Sequence, residues 1–206
     1  MDSIRKEAIA GYNETLGSIK AAQLKYYDTQ EHYISLAAFC GCGVDMIYDC
    51  IPVKDAEKLT KEKYNPCCMT PLYDAIGRSI KTLSNKTDKI EDAAVLVTII
   101  TDGMENASVE WTGPAIKKLI DERKEEGWMF SYIGADHDVE SVAASISITN
   151  TVVWTKTTEG TEAMFCNENE ARERFYDKMD ACCAPCASVH EKKQMRKKFS
   201  EEYYKK

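Results

Sequence analysis

The sequence predicts an α/β fold: a mostly parallel sheet with helices against its faces and one antiparallel strand at an edge. Three observations carry this. Residues 95–100 (VLVTII) form an almost unbroken apolar run, with Val95, Val97, Thr98 and Ile99 among its β-branched members, the pattern of a strand buried on both faces. From there onward strand-like and helix-like stretches alternate, the rhythm of βαβ units with right-handed crossovers. Upstream, two strand-like stretches are joined by Gly41-Cys42-Gly43, a hairpin signal, and Pro52 suits the second of them to an edge because it has no N–H for a ladder.

The totals narrow the function classes. At 206 residues the chain has room for one full core, read as a domain over residues 1–180 followed by a charged, cysteine-containing tail over residues 181–206. A net charge of −7 disfavours a broad nucleic-acid surface, which needs clustered positive charge. No stretch is apolar for long enough to span a bilayer, so no membrane partner is expected. Nine cysteines are scattered through apparent core elements without a secretory signal, which predicts reduced thiols in a cytoplasmic protein.

Taken in order, residues 3–27 predict a long helix. Ile4, Ala8, Tyr12, Leu16 and Ile19 share one helical face, although Gly11 and Gly17 weaken it and a break after Gly17 is allowed. Residues 33–40 and 44–53 are the hairpin strands, and the charged residues 54–64 read as loop. Thr70 stands where an N-cap belongs and Pro71 at the first helical position. The buried stripe of the helix that follows is Leu72, Ala75, Ile76, Ser79, Ile80 and Leu83. Thr112 then caps a helix over residues 113–126, with Gly127 as its stop. A strand over 128–133, a short helix over 138–148, a last strand over 151–155 and a final helix from about Thr161 complete the reading. The run 95–101 is expected at the centre of the sheet, flanked by the strands at 128 and 151. The strand at 33 lies on its other side, and the strand at 44 is outermost.

That central run stops at Thr101-Asp102-Gly103. Open α/β sheets hold ligands at the carboxyl ends of their strands, so Asp102 is the first candidate for chemistry, with a plain Asp-Gly turn as the alternative. Thr70 belongs on the same sheet edge. A hydroxyl and a carboxylate with open positions around them suit a hard cation such as Mg²⁺, which takes few protein ligands and keeps its waters.

Residues 68–77 (CMTPLYDAIG) and 101–108 (TDGMENAS) resemble the second and third metal-site motifs of von Willebrand factor A-type domains, particularly the single-domain microbial and phage versions. The likeness extends over residues 3–179 and takes in AGYN at 10–13, IPVKD at 51–55 and GAD at 134–136. It implies a Rossmann-like three-layer α/β/α fold and a protein–protein interaction module rather than an enzyme. It also implies Mg²⁺, or Mn²⁺, at a metal-ion-dependent adhesion site to which Thr70 and Asp102 contribute. A carboxylate of the partner protein would fill the open coordination position, and Glu105, Asn106 and Asp136 would shape the surface around it.

One departure from the family weighs against this match. Family members begin with a central strand ending in Asp-x-Ser-x-Ser, which supplies three of the five metal-site positions. This chain has no such motif and opens with Met1-Asp2-Ser3-Ile4, directly at the first helix. The expectation is therefore a sheet short of its first central strand, either because the start lies upstream or because the strand is lost. The strands at 33 and 95 then either close up or leave a gap, and Mg²⁺ binds weakly or not at all. Removing the Asp102 carboxylate is expected to leave the fold intact or even more stable.

Two alternatives stand beside this reading. One is a Mg²⁺-dependent Rossmann-like phosphotransfer or hydrolase enzyme, which needs a phosphate cradle and a general base that no motif supplies. The other is a metal-free scaffold. Cys182, Cys183, Cys186 and His190 have spacings compatible with zinc, but Cys182 and Cys186 continue a helical stripe and packing is the preferred reading. Cys67-Cys68, beside Thr70, reads as packing or as a redox-sensitive pair.

Overall fold

The strands fall into two sheets rather than one. The computed structural model describes residues 2–67, 69–90, 92–135, 138–181 and 188–205. Strand β1 (Tyr33–Cys40) pairs antiparallel with β2 (Gly43–Pro52). A separate parallel sheet holds β3 (Leu96–Thr101), β4 (Met129–Gly134) and β5 (Asn150–Val153) in that order. Six α-helices accompany them among the described residues: α1 (Arg5–Lys25), α2 (Leu72–Thr87), α3 (Gly113–Glu125), α4 (Val139–Ser145), α5 (Thr158–Ala181) and α6 (Val189–Glu201). None is long and apolar enough to cross a membrane.

The mixed α/β composition and the hairpin are as expected; the central place of residues 95–101 is not. The middle strand is β4, every residue of which is buried, while β3 is an edge strand and most of its residues are only half-buried. The physical reason is that, among the described residues, no strand pairs with the β3 edge that faces away from β4.

Alternation along β3 sorts the packing. Val95 and Ile99 join Leu72, Ile76 and Ile80 of α2 and Ile116 and Ile120 of α3 in the largest apolar cluster. Leu96 and Ile100 face the other way, toward Phe175 and Phe165 of α5. Helices α1 and α2 bridge the two sheets. Leu16 and Ile19 of α1 pack on Ile34 and Tyr48 of the hairpin, while Ile4, just before α1, packs with Phe165. Gly17 does not break α1, which runs unbroken. Gly11 is required where α1 meets α5, since a Cβ there would stand 2.0 Å from a carbon of the Phe165 ring.

The carboxyl-terminal residues fold back onto the parallel sheet. The expected charged tail contains α6, which opens with a capping box between Ser188 and Glu191. Beyond α6, Tyr203 packs against Phe175 and Met129. Beneath it lies a buried carboxylate, Glu168, which accepts from Thr98 Oγ1 at 2.8 Å, Arg172 Nη2 at 2.8 Å, Tyr203 Oη at 3.0 Å and Tyr204 Oη at 2.5 Å. This network ties β3 to α5 and to the residues after α6. The expected cluster at Cys182, Cys183 and Cys186 lies outside the described residues, and His190 is exposed on α6.

Candidate functional site

The loop 104–111 and the start of α2 hold each other by main-chain-directed carboxylates. Asp74, buried in the first turn of α2, accepts from the N–H groups of Val109, Glu110 and Trp111 at 2.9–3.0 Å. In return Glu105 accepts from Tyr73 N at 2.9 Å and from Ala107 N, Ser108 N and Ser108 Oγ at 2.6–2.9 Å. Burial disfavours both charges, yet the converging N–H donors hold both carboxyls below the usual carboxylate range. Glu105 is therefore spent inside the protein rather than offered to a partner surface.

Thr70 is not the helix cap that its position suggested. The N-cap is Pro71, and Thr70 makes no side-chain cap bond; Glu105 and Ser108 satisfy the N–H groups of Tyr73 and Asp74 instead. Thr70 is clasped through its backbone, with its N–H on Asn106 Oδ1 at 2.8 Å and its carbonyl taking the Asn106 N–H at 3.2 Å. Asn106 thus positions Thr70. This clasp presses Thr70 onto the end of β3, where a Cβ on Gly103 would stand 2.7 Å from Thr70 Oγ1. Glycine is needed there for the approach, and the two expected site residues, Thr70 and Asp102, come to one rim as the sequence reading placed them.

At that rim the Asp102 carboxylate already has a cation. Lys156, in the turn between β5 and α5, places Nζ 3.0 Å from Asp102 Oδ2, with both side chains mostly shielded from water. Burial works against ionisation of Asp102, but positive charge beside it, Lys156 included, holds its carboxyl below the usual range. Tyr64 reports the same charge from the other side: burial and the Asp102 carboxylate push its phenol up to about 12. Arg5, at the start of α1, fixes that segment by donating Nε–H to Tyr64 O at 2.8 Å. The expected gain in stability on removing the Asp102 carboxylate assumed a carboxylate without a cation beside it, whereas Lys156 is paired with Asp102 here.

Mg²⁺ does not fit this donor set. The ion demands near-octahedral oxygen ligation at short distances and sheds water reluctantly. The described rim offers one neutral hydroxyl and one carboxylate that is already ion-paired with Lys156. Asp136, expected nearby, lies outside the described residues, as does Cys68 of the Cys67-Cys68 pair.

Between the two sheets runs a slot of about 290 Å³ that opens at the same rim. It is lined by residues 35–39 of β1 and by residues 96–102 at β3, each an unbroken run. Side chains alternate along a strand, so consecutive residues line one cavity only when the strand presents its main-chain edge to it. The periodicity shows which groups these are on β3. Val95 O accepts from Met129 N and Thr101 O from Ala135 N, so odd-numbered residues turn their peptide groups to β4. Leu96, Thr98 and Ile100 turn theirs to the slot.

The slot is apolar on both sides. Ala75, Ile76, Ile80 and Leu83 line it from α2, and Ala8, Tyr12 and Phe165 from α1 and α5. The loop 64–70 also ties together the carboxyl ends of the two facing strands. Cys67 meets Cys42 just beyond β1, and Thr70 meets Gly103 just beyond β3, so both strands end at one rim. Sequence reasoning did not locate Lys156, for which the only signal was a cation shortly after a strand end. Comparison with protein-family models, with curated proteins and with solved structures gives no match to this chain.

Proposed function

We propose that this chain is a protein-interaction module, not an enzyme, which binds a partner by accepting an extended segment as a strand between β1 and β3. The slot itself carries this reading: two strand edges, ending at one rim, face each other across a gap lined with apolar side chains. An exposed sheet edge is a template for β-augmentation, and here two edges offer main-chain bonds to the same guest. About six residues would span β3 at ~3.3 Å each, and both faces of the guest must be apolar, as in any strand covered on two sides. Its occupancy would make one continuous sheet, the Rossmann-like three-layer α/β/α arrangement that the resemblance implies.

The guest's carboxyl end would then arrive beside Thr70 and Asp102. In the chain alone Lys156 neutralises Asp102, so the proposal does not route recognition through Mg²⁺. An ion at this rim would need oxygens that the guest brings. That ordering separates the proposal from the phosphotransfer alternative, which turnover of simple phosphoesters would support.

The test is thermal unfolding of the chain with a lysine-flanked peptide copying residues 96–101 (LVTIIT), a segment that already suits a strand covered on both faces. A ligand that binds only the folded state raises its stability by mass action. Saturating peptide is expected to raise the Tm by several degrees, about 2–4 °C per kcal/mol of binding for a domain of this size. It should also shift the emission of Trp128, which lines the slot. A peptide with proline at its third strand position should do neither. Equal effects from the two peptides, or none from either, would remove the proposal.

A further inference from the structure

A different feature lies beside that rim. Cys40 ends β1, Cys42 lies in the turn to β2, and Cys67 precedes α2 on a separate segment. The three Sγ atoms lie within 4.8 Å of one another, although Cys67 is 25 residues beyond Cys42. We infer that Cys40, Cys42 and Cys67 form a site for a thiophilic divalent cation, with Zn²⁺ as its representative.

The geometry supports a metal better than a disulfide. Tetrahedral zinc thiolates with Zn–S near 2.3 Å place their sulfurs about 3.8 Å apart, close to the spread found here. Cys42 Sγ and Cys67 Sγ are 3.5 Å apart, a hydrogen-bonding separation and well beyond the ~2.05 Å of a disulfide. The third sulfur is unexplained by a two-cysteine bond and is accounted for by a three-coordinate cluster.

Electrostatics give the same answer. Three thiolate charges within 4.8 Å of one another repel strongly in the absence of a cation. A divalent ion reverses that: each S–H breaks, each sulfur keeps its electron pair for the metal, and the released protons pass to the buffer. Cys42 and Cys67 are exposed and Cys40 is half-buried, so an ion enters directly from solvent and a water can hold the fourth position.

An ion here would clamp the β1–β2 turn to the loop that ends at Thr70. Phe39, Cys67, Met69 and Thr70 all line the slot, so the clamp would stiffen one wall of its mouth. The site itself stands without the slot proposal, because it rests on the sulfurs alone.

The experiment is a titration of the reduced, chelator-treated chain with Co²⁺ and then Zn²⁺. A thiolate-to-cobalt charge-transfer band should grow to saturation at one ion per chain and be erased by Zn²⁺. Zn²⁺ should release protons in the same titration and raise the Tm. The double variant Cys42→Ser/Cys67→Ser alters only exposed side chains and should keep its circular dichroism spectrum while losing the band. No band in the parent chain overturns the assignment. So does a band that survives in the double variant, which would place the ligands among the other cysteines. A Cys42–Cys67 disulfide that forms in air with equimolar Zn²⁺ present also overturns it.

Discussion

Strands β3 (LVTIIT) and β4 (MFSYIG) are both largely apolar and run side by side, yet they live in different environments. Every residue of β4 is buried, with a hydrogen-bonded neighbour on each side, whereas β3 is paired on one side and half-buried along most of its length. The same kind of apolar run therefore makes a core strand in one place and the wall of a slot in the other. β4 has two paired neighbours and β3 has one. Burial is a property of the assembled sheet, and an apolar run records what it is suited to rather than what it has.

The largest expected effect lies where β3 is best held, on its α5 side. Glu168 is buried and accepts four hydrogen bonds from three segments of the chain. Glu168→Ala leaves Arg172 buried without its carboxylate and is expected to cost about 3–5 kcal/mol in urea unfolding. A cost under 1 kcal/mol would mean that the residues after α6 do not dock as described.

The two strands are compared directly by matched truncations. Ile133 of β4 is fully buried and Ile133→Ala should cost about 2–5 kcal/mol, the range for emptying a packed core position. Ile100 is its register partner on β3 but is only half-buried, and Ile100→Ala should cost nearer 1 kcal/mol. Saturating the slot with the strand peptide should widen the cost of Ile100→Ala and leave that of Ile133→Ala unchanged. Equal costs in the free chain would erase the distinction.

The rim gives the next step down, and a pH signature. Asp74 accepts from three N–H groups, so Asp74→Ala should cost about 2–3 kcal/mol through the donors it strands. Its folded carboxyl lies below the unfolded value, so the stability it adds is complete above about pH 4, where the unfolded side chain is ionised. That contribution is lost as the pH falls through the lower folded value. Unfolding free energies between pH 2 and 6 should therefore fall less steeply for Asp74→Asn than for the parent chain. Asp102→Ala is the smallest change, a loss of about 1 kcal/mol, since Lys156 is shielded but still reaches water. A gain in stability would mean that the ion pair is not formed in solution.

Much of this was legible from local pattern. The five strands and helices α1 to α5 announce themselves through their residue patterns, and Thr70 and Asp102 fall on one rim because both precede or end elements at the carboxyl edge of the sheet. Three things were not. The split into two sheets depends on which edges meet, and the run at 95–100 reads identically with or without a neighbour. Thr70 satisfies every rule for a cap, but Glu105 and Ser108 reach the same N–H groups from a loop over thirty residues away, a competition that no local rule registers. Lys156 and the three cysteines are brought to their partners by tertiary folding, from segments that carry no mutual spacing signal.

The account's central claim is that the slot edge of β3 is a main-chain edge waiting for a strand, and residue-resolved amide hydrogen exchange tests it most directly. In the free chain the N–H groups of Leu96, Thr98 and Ile100 should exchange far faster than those of Val97 and Ile99, which turn to β4. The peptide LVTIIT should slow the first three toward the second two, while its proline variant does not. Uniform protection along β3 in the free chain, or fast exchange at Leu96, Thr98 and Ile100 that saturating peptide leaves untouched, would contradict it.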